Sequence, residues 1–404
     1  MLKKPTYNHY LSIALLASLL LYACTEPFEI EQNEFENAIV VEATITNEVK
    51  FQEVKISNST LLSDDFITPE TNAIVLIKDE NQNTYEFSES SPGLYTSSLK
   101  FSAQFDMNYQ LFITTSTGDE YESKLAKTTS QSTIDEVSVK LNTNSNGSDE
   151  FRLFVNSFDA SGESRYYRYT YEETYKIVAP NWDSLQAVVL PTEPIKTIDI
   201  VLKTDFDTEV CYQTKKSNAI IQTSTKDLIE DRVQFAVRKI LADDFIISER
   251  YSILVKQYVQ SYEAYTYFSI LNKFTNSSSL LSQSQPGFFN GNIYSTSNKN
   301  NTVIGFFEVA SATSKRVFFN YRDFFATGRP RYIEKCGFFA PTNDINEQRT
   351  STELVDAIES NGWLFFANND NPTDILPGPY ILTQKECGDC TAFGTNIKPS
   401  FWLE

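Results

Sequence analysis

From Ala38 onward the chain is built of short runs whose apolar residues recur at every second position. Phe51-Gln52-Glu53-Val54-Lys55-Ile56 alternates in this way, as a half-buried β-strand must when one face packs on a core and the other meets water. Ile39 to Ile45 is β-branched and partly alternating, and Ala73 to Ile77 is an apolar run suited to a central strand. Turn residues punctuate the series. Asn81-Gln82-Asn83 leads into Thr84 to Phe87, Pro92-Gly93 precedes Leu94-Tyr95-Thr96, and Gly118-Asp119 separates Tyr109 to Ile113 from Tyr121. Short strands at this spacing predict a mainly β protein, with an immunoglobulin-like sandwich over residues 38–127. Tyr109, after Asp106-Met107-Asn108, fits a tyrosine corner, a structural role.

A polar linker, Lys127 to Ser132, introduces a larger β-rich domain over residues 133–404. Ile134 to Leu141 and Phe151 to Phe158 alternate on either side of Asn146-Gly147, a hairpin signal. In Tyr166 to Tyr171, residues Tyr167, Tyr169 and Tyr171 share one strand face, an arrangement that serves sheet packing more often than ligand stacking. Residues 179–210 contain Pro180, Pro191 and Pro194 and read as a long insertion. Strands resume around Val233 to Val237 and Tyr251 to Tyr258. The period then changes near residues 260–274, where Ala264, Phe268 and Leu271, flanked by Tyr267, Ile270 and Phe274, predict a helix. Val303 to Val309 and Arg316 to Phe319 read as two separate strands. A short helix is expected at 351–360, opened by a Thr350/Glu353 capping box and closed by Asn361-Gly362. Trp363 to Phe366 and Tyr380 to Leu382 are the last strand candidates.

The N-terminus has a different character. Lys3 and Lys4 precede a stretch from Tyr10 to Tyr22 that is apolar apart from Ser12 and Ser18, and Leu21-Tyr22-Ala23-Cys24 follows. A charged start, an apolar stretch shorter than the ~20 residues of a membrane span and a small residue before the cut describe an export signal over residues 1–23. A cysteine directly after Ala23 resembles a lipobox, so Cys24 is the expected lipidation site and residues 24–37 an acidic tether.

Charge and residue usage exclude several functions. The net charge is −19, and no basic stripe is present to neutralise phosphates, which disfavours nucleic acid as a partner. The single histidine, His9, lies in the export signal, so the mature chain has no imidazole for Ser-His-Asp or Cys-His catalysis or for a histidine-built zinc site. No calcium-loop motif occurs, and neither a metal nor a cofactor is expected. Cys211, Cys336, Cys387 and Cys390 remain after maturation. In an exported protein they read as two disulfides, with three connectivities open; Cys387-Gly388-Asp389-Cys390 lacks the βαβ setting of a redox CxxC.

Several segments, taken in order, carry a resemblance: Cys24-Thr25-Glu26-Pro27, Val40 to Thr46, Tyr166 to Tyr169 with Glu172-Glu173, Arg250 to Val255, Gln285-Pro286-Gly287 with Gly291-Asn292-Ile293, and Cys387 to Cys390. Together they resemble the Bacteroidota lipoproteins grouped as domain of unknown function 4249. The resemblance implies an outer-membrane lipoprotein, here expected on the extracellular face, and a TonB-dependent transporter as partner; it supplies no catalytic residue. The function expected is therefore ligand binding or transporter accessory work, with a surface adhesin and a carboxylate-dependent hydrolase as alternatives, the chain being read as a non-enzyme. Trp182, Phe288 and Phe289, in turn-rich segments, are the candidate ligand contacts.

Overall fold

The computed structural model describes residues 38–59, 68–192, 196–204, 207–276, 291–331, 335–343, 345–346, 349–350 and 352–404. Cys24, Phe288 and Phe289 lie outside them.

The fold is mainly β. The N-terminal unit contains β1 (Ile39–Thr46), β2 (Glu53–Asn58), β3 (Ile74–Asp79), β4 (Thr84–Ser91), β5 (Leu94–Ser97), β6 (Asn108–Thr114) and β7 (Glu120–Ser123). Alternation works as the sequence implied: Ile39, Val41, Ala43 and Ile45 of β1 are buried with Val54 and Ile56 of β2, while Glu42 faces water. The hydrogen-bonded order is β1-β2-β5-β4-β3-β6-β7. Because β4 pairs with both β3 and β5, the hydrogen-bonded path runs from β1 to β7 without a break. Tyr109 is fully buried and its hydroxyl accepts the Gln104 N–H at 2.8 Å, the corner geometry expected of it.

The second unit has two layers. One is the three-stranded sheet of β8 (Ile134–Thr143), β9 (Asp149–Asp159) and, further along the chain, Asp231–Leu241. The other is formed by β10 (Tyr166–Val178), which pairs along the chain with Val210–Lys216, Ile221–Ser224 and Arg250–Val259. Between the layers, Phe151, Leu153 and Val155 meet Tyr167, Tyr169, Tyr251 and Ile253. The insertion at 179–210 forms a regular hairpin, β11 (Leu185–Leu190) with β12 (Thr197–Leu202). After it come β13 (Val210–Lys216), β14 (Ile221–Ser224), β15 (Asp231–Leu241) and β16 (Arg250–Val259).

Helix α1 (Tyr262–Asn276) follows. Ser261 opens it by accepting the Ala264 N–H on its hydroxyl at 3.1 Å. Ala264, Tyr267, Phe268 and Leu271 form its packed stripe, whereas Ile270 and Phe274 are exposed.

One strand joins the two units. After β17 (Ile293–Ser295), which pairs with β7, β18 runs unbroken over Val303–Asn320. Its first half lies parallel to β1, from Ile39↔Val303 to Thr46↔Ala310, and its second half antiparallel to β16, from Val259↔Ser311 to Arg250↔Asn320. The sequence suggested two strands because Ser311 to Lys315 is polar. Those residues keep their ladder: Ser311 also donates its N–H to the Thr129 hydroxyl and its own hydroxyl to the Thr129 carbonyl, and the Ala312 N–H reaches Asn47 Oδ1 at 2.7 Å. The N-terminal sheet is thus completed by residues 293–310, far along the chain from the rest of it.

The C-terminal part holds α2 (Glu353–Glu359), β19 (Trp363–Asn368), β20 (Tyr380–Gln384) and the short helix α3 (Lys385–Gly388). The cap of α2 is Thr352 rather than Thr350, and the Thr352 hydroxyl bonds the Asp356 carboxylate at 2.8 Å. Asn361, with φ of 54°, ends the helix in the left-handed conformation. Disulfides bind this part to the second unit and to itself: Cys211–Cys390 and Cys336–Cys387, with Cα separations of 5.5 and 5.9 Å.

Candidate functional site

A cavity of about 600 Å³ lies at the seam between the two units, beneath α1. Three elements build it. The parallel pair of β1 and β18 presents Val40, Glu42 and Thr44 beside Ile304, Phe306 and Glu308, the residues left on the face away from the N-terminal core. Helix α1 lays Tyr267, Phe268 and Leu271 across them, and the Asn218–Ile220 turn between β13 and β14 closes one side. Burial pushes the Tyr267 phenol up to about 12, helped by the nearby Glu42 charge, so it stays neutral at physiological pH.

Arg168 of β10 reaches this seam from the second unit. Its Nη2 stands 2.5 Å from Glu308 Oε2; the side chains are 12% and 2% exposed. Glu308 is held further by Gln260 Nε2 on Oε1 at 2.8 Å and by the Thr44 hydroxyl on Oε2 at 3.2 Å. The rings of Tyr258 and Phe268 lie 4.3 and 4.8 Å from the guanidinium carbon. Arg168 Nε is buried without a hydrogen-bond partner, and among the described residues the hydrogen bond made by this side chain is the one from Nη2. Nη1 is therefore a donor on a residue that lines the cavity, held in place and, among the described residues, uncommitted.

The residues singled out from sequence are dispersed. Trp182 is half-buried against the second core, its Nε1 donating to Thr208 Oγ1 at 3.0 Å and Lys203 resting over its ring. It does not line the seam cavity. The tyrosine row is structural: Tyr167 donates to Asp231 at 2.8 Å and Tyr169 to Gln257 at 3.1 Å. Cys211, Cys336, Cys387 and Cys390 are all consumed in the two disulfides, and Cys387 and Cys390 have different partners. Among the described residues no cluster of three or more His, Cys, Asp or Glu forms a metal-sized group, and no helix is long and apolar enough to cross a membrane.

Arg168 and Glu308 were missed in the sequence. A signal existed in each case: a lone acid within the apolar run Val303 to Val309, and an arginine on the face of β10 opposite its buried tyrosines.

The molecule so defined is a β protein of two units stitched by one strand, with a preorganised arginine in the cavity at their seam. The family model described as Domain of unknown function (DUF4249) matches residues 25–316, and the chain belongs to that family. The match ends inside β18, so Cys387 to Cys390, read as part of the resemblance, lies outside it. No curated protein matches the chain.

Proposed function

We propose that this chain is an outer-membrane lipoprotein, anchored through Cys24 and facing the cell exterior, that binds a small ligand in the seam cavity and serves as accessory to a TonB-dependent transporter. The observation that carries the binding reading is Arg168. A donor clamped by Glu308, Tyr258 and Phe268 at the edge of a largely apolar cavity has the makeup of a ligand site, and the volume falls within the ~300–1,000 Å³ of small-molecule pockets. The anchor rests on the Lys3 to Cys24 pattern, and the transporter on the family resemblance. The strand order β1-β2-β5-β4 followed by β3-β6-β7 supports an immunoglobulin-like reading of the N-terminal unit, with one added pairing between its halves.

Titration with the uncharged apolar dye Nile red tests the cavity. Fluorescence should rise on binding to the folded protein and be lost in Ala219→Trp, which places an indole at the cavity rim. Absence of dye binding sinks the cavity reading. Anchor and partner are tested by expressing tagged chain in its native host. The expected result is membrane retention that Cys24→Ser abolishes, with a transporter co-purifying from the outer membrane.

A further inference from the structure

We infer that the seam cavity selects uncharged ligands that carry a carbonyl on an apolar body, as a short apolar peptide does, and that Glu308 sets this selection. The inference rests on the reading of the cavity as a ligand site and specifies its chemistry.

Arginine recognises carboxylates best through two parallel N–H donors. The guanidinium already gives one N–H of Nη2 to Glu308 at 2.5 Å, and its side-on pair is shut because Nε is buried without a partner. The Nη1 end is left for a ligand, and electrostatics decides what it takes. A ligand carboxylate on Nη1 would share one guanidinium with Glu308, placing two anions against one cation among apolar walls, where an unbalanced charge is heavily penalised. Glu42 is the acid that lines the cavity itself, and Lys55 already pairs with it at 3.0 Å. An amide carbonyl takes the hydrogen bond without adding charge, while Phe306, Phe268, Leu271 and Ile304 offer surface for apolar side chains.

Glu308 is a positioning residue in this scheme. It orients the guanidinium and cancels its charge, so its removal should change which ligands are preferred as well as how strongly they bind. The test displaces bound Nile red with N-acetyl-leucyl-phenylalaninamide and with the corresponding free acid at neutral pH. In the wild type the amide should displace the dye at a concentration at least ~10-fold lower than the acid. In Glu308→Gln the ratio of the two should shift towards the acid by ~10-fold or more, a change that a purely structural role would not produce. Acid binding as well as amide in the wild type would overturn the inference, and so would an unchanged ratio in a folded Glu308→Gln. If Glu308→Gln fails to fold, the wild-type comparison alone decides. Dye that binds but is not displaced by the amide overturns the ligand class alone; dye that does not bind overturns the proposed function beneath it.

Discussion

Cys387, inside α3, and Cys390, just past its end, are bonded to different parts of the chain: Cys387 to Cys336, and Cys390 to Cys211, 179 residues away. The CxxC is therefore a branch point that clamps the C-terminal part onto β13, and its two sulfurs do not form a dithiol couple. Closing a long loop restricts the unfolded chain most, so the Cys211–Cys390 bond should contribute strongly. Replacing both residues by alanine should lower stability by about 2–5 kcal/mol in denaturant titration. Peptide mapping without reduction should recover Cys211 linked to Cys390. A peptide linking Cys387 to Cys390 would contradict the clamp.

The buried tyrosines make the fold sensitive to alkali. Burial pushes the Tyr85 and Tyr175 phenols up to about 12, with added repulsion from Tyr109 and Asp79 in the first case and from Glu173 and Asp244 in the second. Tyr169 and Tyr251 are raised well above the ordinary range, again by burial first. A group whose folded-state pKa is raised stabilises the fold fully below its unfolded value, about 10 for tyrosine, and loses that contribution as pH rises through the folded one. Denaturant midpoints should thus be insensitive to these groups at neutral pH and fall steeply above pH ~10. Phenolate absorbance should report part of the tyrosine content titrating only as the chain unfolds. Full titration near pH 10 with the fold intact would show that these rings are not buried.

The two layers of the second unit are tied by a charged contact that burial makes consequential. Arg238 of β15 holds Glu173 of β10 through Nε and Nη2, at 2.9 and 3.2 Å, and the Tyr251 hydroxyl donates to the same carboxylate at 2.7 Å. Glu173→Ala leaves a guanidinium and a buried hydroxyl without their acceptor. A loss of about 3 kcal/mol is expected. The double variant Glu173→Leu with Arg238→Met, which removes both charges, should recover most of that loss. Equal destabilisation by the single and double variants would show that packing, not charge, governs the contact.

Much of the fold was legible in local pattern. Period-two alternation located β2, β9 and β10, the apolar stripe located α1 with its end two residues short, and Tyr109 was identified as a corner from its setting alone. The illegible part is what sequence-distant strands do together. Nothing in Val303 to Asn320 announces a parallel partner at one end and an antiparallel partner at the other; that pairing depends on β1, more than 250 positions earlier. The site was hidden for the same reason. Thr44, Arg168, Gln260 and Glu308 converge only once β18 has bridged the units, and each taken singly is an ordinary polar residue on a strand or at a helix entrance. Aromatic content drew attention to Trp182 instead, whose ring the second core had already claimed.

The bridge can be tested at Gly305, where the approach of β1 leaves no room for a side chain. A Cβ on Gly305 of β18 would lie 2.5 Å from the Val41 carbonyl oxygen and 3.0 Å from the Val41 Cβ, and a Cβ on Gly291 would in turn run into the Gly305 carbonyl. Neither strand can give way without loosening the parallel ladder, so Gly305→Ala should destabilise by about 1–3 kcal/mol through overpacking. Gly147 supplies the contrast. Its φ of +83° strains any side chain, but a Cβ there meets open space, so Gly147→Ala should cost about 1 kcal/mol through backbone strain alone. The two variants should separate further in Nile red titration. Ile304 and Phe306, on either side of Gly305, line the seam cavity; Gly305→Ala should therefore weaken dye binding, while Gly147→Ala, in the β8–β9 turn, should leave it unchanged. Equal dye binding by both variants would mean that the cavity does not depend on the packing of β1 against β18.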